Sequence, residues 1–516
     1  MRLLLIKETS EIRGEISHGI GLIGTIAKEL ATVRIIDNDS LYVTHSPRKL
    51  MEKIVAFSPD IIGFHINTHN IYRTGFLVGM IKQKMPHICL IGGGIHAFYE
   101  PGEILDLGIH IVAVEEADLT INPLLNALRD FVGSNHPFRI HAPVISVLSQ
   151  VPGLLFDDEN KNRISTGRPN FITDLDQLPF IDHTLFNLED YIHKSEDGHY
   201  VTNTLLTQRG CPFSCTFCQG DEQQGAFRMS RANSPQYQLN YIKHLHKMYN
   251  HKYFIFLDTN FTLNRKKTLE FCELIITSEL HDKIKFYCET NAFAIIDEAL
   301  ATALRRAGCV DMALGIERLT EDSLRKINKK LKPEIIHACV RNISAVGIRL
   351  AANVLLGFPF DTEQTIQEEE KHFTQLLNHV DSISCSVVVP LPGTQIYQQT
   401  RHQKWYLKPE YIRWKPPFYH YAFNFNGNAW QANYFDLDQK TMRAILAMRE
   451  KMHTLRIERI NSRLVSFLFM FVKGLARISL FLFRMSPIME RIVFYPVLMI
   501  YNFMWKLMVS KFYVER

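Results

Sequence analysis

The sequence predicts an α/β protein built from two successive units. The first is a doubly wound parallel sheet over residues 1–130; the second, after a connector at 131–200, is a parallel partial (β/α)6 barrel over 201–404. A helical, apolar C-terminal region follows at 405–516. Three observations predict this. Strand-length apolar runs alternate with longer runs of helical period in both units, the pattern of parallel sheets with crossover helices. The second series has six strand–helix repeats whose strands end in polar residues or glycine, at the end where barrel sites lie. The composition, 46% apolar and 22% charged over 516 residues, is that of a globular chain.

In the first unit, RLLLI reads as a buried strand. Lys7, Glu8, Glu11 and Arg13 end that apolar run before a secretory h-region could form. GIGLIGTIAKELA is a helix, VRIID a strand, PRKLMEKIVAFSPD a helix and IIGFHI a strand. TGFLVGMIKQKM is a helix, ICLIGGG a strand ending in glycines, GIHIVAVEEAD the last strand and LTINPLLNALRDF its helix. Ligands in such sheets sit at the carboxyl ends of the strands. The three glycines of Ile91 to Ala97 allow a bulky ligand close to the backbone there. His65 and His69 straddle a strand end rather than a helix face, and read as surface residues. Residues 131–200 are rich in Pro, Asp, Asn and His and read as a long loop with short strands.

In the second unit the strands are NTLLTQ, KYFIFLDTNF, KIKFYCETN, CVDMALGIE, RLAANVLLGFP and SISCSVVVPLPGT, with helical stretches between them. Asp258 and Asn260 end the second strand, Glu289 the third, Glu317 the fourth, and Gly357 and Pro359 the fifth. A strand-terminal carboxylate can simply meet solvent, so each alone carries little.

The cysteines carry more. Of nine, six (Cys89, Cys272, Cys288, Cys309, Cys339 and Cys385) are scattered, as reduced core residues of a cytosolic protein would be. The other three, Cys211, Cys215 and Cys218, fall within TQRGCPFSCTFCQG. Thiolates are the usual ligands of iron–sulfur clusters, and an ordinary four-iron cluster takes four. A three-cysteine loop with no fourth close by would leave one iron open to a small molecule. Structural zinc sites favour paired C-x2-C units that close the metal's coordination.

The spacing C-x3-C-x2-C, with Phe217 before the last cysteine, resembles the radical S-adenosylmethionine (SAM) family. FLDTNF, LRRAGCVDMALGIE, INKK, LLGFPFDT and VVVPLPGT follow in that family's order. The resemblance implies a [4Fe-4S] cluster on Cys211, Cys215 and Cys218, with SAM on the open iron. It implies SAM contacts at Phe217, Asp258, Asn260, Glu317 and Gly357. Where the family commonly has Ser after the glutamate, this chain has Arg318. In the first unit SPDIIGFHINT, ICLIGGGIHA and IVAVEEADLTI resemble the cobalamin (B12)-binding domain that precedes many radical SAM domains. That resemblance implies cobalamin contacts at Asn67, Gly92, Gly93, Gly94, His96 and Glu115, with Val114-Glu115-Glu116-Ala117 standing where the family has Gly-Glu-x-Glu. The D-x-H-x-x-G motif, whose histidine ligates cobalt, is matched only by Ile16-Ser17-His18-Gly19-Ile20-Gly21, without the acidic residue that would orient the imidazole. Radical SAM relatives often bind cobalamin without that histidine. GRPNFITDLDQLPFIDHTLFNLEDY is similar to the strap joining the two domains in this family.

The family spans B12-dependent methyltransferases and anaerobic magnesium-protoporphyrin ester cyclase-like enzymes. The resemblance implies cleavage of SAM to a 5′-deoxyadenosyl radical, C-methylation through cobalamin, and an electron donor such as flavodoxin or ferredoxin. A radical cyclase or rearrangement enzyme, and a non-catalytic cobalamin or cluster sensor, stay open as readings.

Charge is uneven. Of the net +5, residues 463–516 carry about +6, so the body is near neutral and no basic nucleic-acid face is expected. Lys473, Arg477, Arg484 and Arg491 share one side of a helix amid Phe and Leu, the pattern of an interfacial helix on anionic lipid. The alternative is an apolar hairpin packed on the barrel. KWYLKPEYIRWKPPFYHYAFNF reads as a pocket lining or lid. The expectation is a cytoplasmic protein, peripheral on the cytoplasmic membrane face, acting on an apolar, lipid-like or tetrapyrrole small molecule.

Overall fold

The computed structural model describes residues 1–9, 16–38, 45–188, 191, 193–194, 200–219, 229–293, 296–404 and 433–458. The candidate lid and the apolar tail with Lys473, Arg477, Arg484 and Arg491 lie outside these residues. No helix among the described residues is long and apolar enough to cross a membrane.

The first unit runs β1 (Arg2–Lys7), α1 (His18–Ala27), β2 (Thr32–Asp37), α2 (Pro47–Phe57), β3 (Ile61–His65), α3 (Ile71–Lys84) and β4 (Cys89–Gly93). It continues with α4 (Ile95–Tyr99), α5 (Pro101–Asp106), β5 (Ile111–Ala113) and α6 (Ile121–Leu128). Local chemistry sets the boundaries. Ser46 caps α2 by accepting from the Lys49 amide at 3.3 Å, with Pro47 in the first turn, where its missing N–H costs nothing. Apart from the edge strand β2, the strands are buried on both faces. Leu3, Leu5, Ile61 and Ile111 pack on one side, and Leu4, Ile6, Ile62 and Val112 on the other. The strand order is β2-β1-β3-β4-β5, all parallel, so the order reverses between β1 and β3 and opens a crevice at their carboxyl ends.

The connector adds more to this sheet than a loop would. After α7 (Ala142–Leu148), β6 (Leu154–Asp157) and β7 (Arg163–Ser165) extend it antiparallel beyond β5. The strap then crosses α1. An added Cβ on Gly21 would lie 2.9 Å from Ile181 Cγ2, so the helix–strap approach requires glycine.

The second unit runs β8 (His193–Lys194), β9 (Tyr200–Leu205), β10 (Gln208–Arg209), β11 (Arg231–Ala232), α8 (Pro235–Tyr249), β12 (His251–Phe256) and α9 (Arg265–Thr277). There follow β13 (Lys285–Asn291), α10 (Glu298–Arg306), β14 (Cys309–Glu317), α11 (Glu321–Lys326), α12 (Pro333–Ala345), β15 (Arg349–Leu356), α13 (Glu363–Leu376) and β16 (Ser382–Val387). The sheet order is β16-β15-β14-β13-β12-β9-β8, with six strands parallel and β8 antiparallel at the edge. This is the expected (β/α)6 partial barrel. Alternation is strict on β15, where Leu350, Ala352, Val354 and Leu356 face the helices and Arg349, Ala351, Asn353 and Leu355 the concave side. After α14 (Tyr397–Thr400), α15 (Gln439–Glu458) packs beside α13 and β16 and buries Met442, Ile445, Met448 and Met452.

Candidate active site

The carboxyl ends of both sheets face one cavity of about 730 Å³. The first sheet contributes Leu5, Gly63, His65, Gly92, Gly93, Gly94 and Ala113, with His18 and Gly19 at the start of α1 and Glu115, Glu116 and Asp118 after β5. The barrel contributes Cys211, Cys215, Cys218, Phe217, Glu289, Asn291, Gly315, Glu317, Lys329 and Asn353.

The three cysteines share one wall. The turn closes with the Cys218 amide donating to the Cys215 carbonyl at 3.0 Å. Burial pushes the Cys215 thiol up to about 12; Lys329 opposes this, while Cys218 and Cys211 add to it. Metal binding would therefore have to displace its proton. Among the described residues no three His, Cys, Asp or Glu side chains converge on one point, as a single ion needs. Three cysteines lining one wall can offer their thiolates to separate corners of a polynuclear cluster.

Opposite them sits a polar set. The register places Asn291, Gly315 and Asn353 at one level of the concave face, with Glu289 and Ala313 one level below. A bulge between Gly315 and Glu317 turns Glu317 to a left-handed φ of +66° at the rim. Lys329 Nζ donates to the Gly315 carbonyl at 2.7 Å and lies 3.6 Å from Glu317 Oε1. Burial raises the Glu317 pKa above the ordinary carboxylate value, and Lys329 works against that rise. Glu289 accepts from the Tyr287 hydroxyl at 2.9 Å. A carboxylate, an ammonium and an amide facing the thiols suit an amino acid head group and ribose hydroxyls, the polar parts of SAM. Lys329 and Asn353 were not singled out from sequence. Their signal was present: INKK follows the GIE strand, and Asn353 falls at an inward position of an alternating strand.

The first sheet presents mostly backbone and apolar side chains. An added Cβ on Gly94, at φ +106°, would lie 2.6 Å from the Ile66 carbonyl oxygen, whereas on Gly93 it would meet nothing nearer than Ala113 at 3.9 Å. Gly94 is thus fixed as glycine by its φ and by the Ile66 backbone, while Gly93 leaves open space that a larger side chain would fill, as a broad corrin face requires. Glu115 lies beside it, its pKa raised by burial although Arg168 is 3.5 Å away. His18 is on the wall, and burial, with the charge of Arg209, drops its pKa to about 3. His65, expected at the surface, also lines the cavity.

Five expected cofactor residues do not line it. Asp258 is buried and accepts from the Thr207 amide (2.6 Å), the Gln208 amide (2.9 Å) and the Thr207 hydroxyl (2.6 Å), fixing the chain that enters the cysteine loop. Burial raises its pKa to about 6 despite those bonds. Asn260 donates to Asn291 at 3.2 Å and accepts from the Thr290 hydroxyl at 2.6 Å. Gly357, at φ +84°, donates to Asp361 at 2.7 Å. Asn67 caps a turn by accepting from the His69 and Asn70 amides, each at 3.0 Å. His96 is wholly buried between Thr68 (3.1 Å) and Glu103 (3.2 Å). Arg318 also stays behind the wall. It donates to Asp361 at 2.5 Å and stacks over Phe358, with its guanidinium 5.0 Å from the ring centroid.

The two domains meet through charge. Arg209 donates to Glu116 at 3.0 Å and to Asp118 at 2.6 and 3.1 Å, and Arg231 donates to Glu116 at 2.5 and 3.0 Å. Burial lowers the Arg209 pKa, but Asp118 and Glu116 outweigh burial and lift it above the ordinary value.

Comparison with known proteins agrees with this geometry. Residues 19–125 match the B12 binding domain and residues 205–372 the Radical SAM superfamily. An uncharacterized methyltransferase of Pyrococcus horikoshii is 26% identical over 74% of this chain and 77% of its own length. The anaerobic magnesium-protoporphyrin IX monomethyl ester cyclase of Cereibacter sphaeroides is 27% identical over 71% of this chain, which spans 57% of that enzyme. The cobalamin-dependent SAM radical enzyme OxsB shares the fold, with a TM-score of 0.63 at 14% identity over 99% of this chain and 80% of that one. So does the radical SAM methyltransferase TsrM of Kitasatospora setae, with a TM-score of 0.61 at 16% identity over 78% and 76%. The cysteine loop and the strand-end polar set thus lie in a stretch, 205–372, that matches the Radical SAM superfamily, and the glycine-edged sheet lies in one, 19–125, that matches the B12 binding domain.

Proposed function

We propose that this chain is a cobalamin-dependent radical SAM methyltransferase acting on carbon of an apolar small molecule. The observation that carries the reading is the single cavity, walled by the cysteine loop and its polar set on one side and by the glycine-edged sheet on the other. When bound, the cluster and SAM supply a one-electron cleavage yielding a radical that abstracts hydrogen, and the corrin supplies a transferable methyl group. Cys211, Cys215 and Cys218 would hold the cluster. Glu317, Glu289 and Lys329 would orient the amino and carboxylate groups of SAM, Asn353 its ribose, and the Phe217 backbone its adenine. Gly93 leaves room for the corrin face, and the stacked Phe213–Phe293 pair, centroids 3.9 Å apart, makes an apolar wall for substrate. No side-chain nucleophile is needed. An electron donor of the flavodoxin or ferredoxin type would reduce the cluster, and the basic, apolar tail would bring the enzyme to an anionic membrane surface.

Anaerobically reconstituted protein with dithionite and SAM is expected to release 5′-deoxyadenosine, and Cys215→Ala to release none; equal release by both contradicts the cluster assignment. Label from the SAM methyl group is expected in the product. A product formed without label favours cyclisation, the reading that the likeness to the Cereibacter cyclase supports.

A further inference from the structure

The first domain grips the cysteine loop at both of its ends. The loop leaves β10 at Arg209 and returns through β11 at Arg231, and these two arginines are direct partners in the antiparallel ladder. Like charges directly opposite repel, and here Arg231 is buried, at 4% exposed, and Arg209 largely so, at 15%. Their shared neutralising partner is Glu116, which accepts from both guanidinium groups and belongs to the other domain. Just beyond the third cysteine, the Gln219 carbonyl accepts from the Tyr99 hydroxyl of α4. Gln219 Nε2 in turn donates to the Pro392 carbonyl at 2.9 Å, which ties that end to the loop after β16. Entry and exit of the loop are therefore fastened to residues more than ninety positions away in sequence, on a separate core.

We propose that the first domain sets the ligand geometry of the cysteine loop, with Glu116 and Tyr99 as positioning residues for the three thiolates. This rests on reading those thiolates as cluster ligands. Glu116 touches the loop's base and also lines the cavity on the corrin side, so the domain that would carry cobalamin is a structural part of the cluster site.

The test uses the full chain, reconstituted with iron and sulfide without oxygen and without cobalamin. Bound iron and its rate of loss to bathophenanthroline are measured, with thermal unfolding alongside. Glu116→Gln removes the carboxylate that the two facing guanidiniums share, with Asp118 still on Arg209, and iron loss is expected to quicken about tenfold. Tyr99→Phe, which leaves the ring packing in place, is expected to quicken it about threefold. Glu116→Gln combined with Arg231→Gln removes the repulsion and is expected to recover most of the natural rate, which a general loosening of the fold would not do. Natural rates in both single variants overturn the proposal, as does a double variant as labile as Glu116→Gln. A natural protein that takes up no iron overturns the cluster reading itself, and this proposal with it.

Discussion

Glu317 ends its strand in a left-handed backbone conformation that a side-chain-bearing residue rarely adopts. The strain is local, at the rim of the cavity, where it aims a carboxylate at Lys329 and the thiols. A Glu317→Gln protein should fold normally and bind SAM about tenfold more weakly, because the ammonium of the ligand loses its charged acceptor; equilibrium dialysis with labelled SAM measures this. Arg318, the next residue, does different work. It is fully buried, paired with Asp361, and Asp361 also holds the Gly357 and Phe358 amides. Arg318→Ser, the residue common in the family, should destabilise the chain by about 3 kcal/mol by leaving a buried carboxylate uncompensated. A urea titration with an unchanged midpoint would exclude that role. Sequence showed the departure at this position but not its meaning. The partner lies 43 residues on, beyond any local pattern.

At the scale of elements, every parallel strand of the two sheets was legible, because each is a short apolar run bounded by turn residues, whereas the antiparallel β6, β7 and β8 were not. What lay beyond each strand end was less so. Period-two alternation fixes facing only while the strand lasts, and β12 ends at Phe256. Asp258 and Asn260 come after it and turn to hold the backbone of β10 and the end of β13, not the cavity. Asn67 and His96 likewise fall past the ends of β3 and β4. The glycine edge was legible, since only the backbone matters there. Gly93→Leu should project into the cavity, leaving stability within about 0.5 kcal/mol but weakening cobalamin binding at least about tenfold, read from an absorbance titration. Undiminished affinity would place the corrin elsewhere.

The whole molecule is held by contacts that sequence does not announce: the seat of the expected strap on Gly21 of α1, the antiparallel extension of the first sheet, and the arginine–carboxylate network between domains. The strap also meets a cluster of buried imidazoles. His183 stands 5.5 Å from the Tyr249 ring, which in turn stands 5.6 Å from His251. Burial lowers both histidines to about 4, helped at His183 by His244 and at His251 by His183 and His246. Their unfolded value is near 6.5, so below that pH the unfolded chain binds more protons than the folded one. Stability should be full above pH 6.5 and fall by up to about 1.4 kcal/mol per pH unit for each histidine as pH drops toward 4. Urea midpoints at successive pH values measure this, and His251→Gln should flatten the slope.

The central claim is that one cavity serves both an iron–sulfur cluster on three cysteines and a corrin on the neighbouring sheet. The most direct test is metal and corrin analysis, with absorption spectra, of protein purified without oxygen from cells supplied with cobalamin. The account predicts about four iron atoms and one corrin per chain, with iron lost and corrin kept when Cys211, Cys215 and Cys218 are all changed to alanine. Iron retained by that triple variant, or natural protein that carries iron but never corrin, would contradict it.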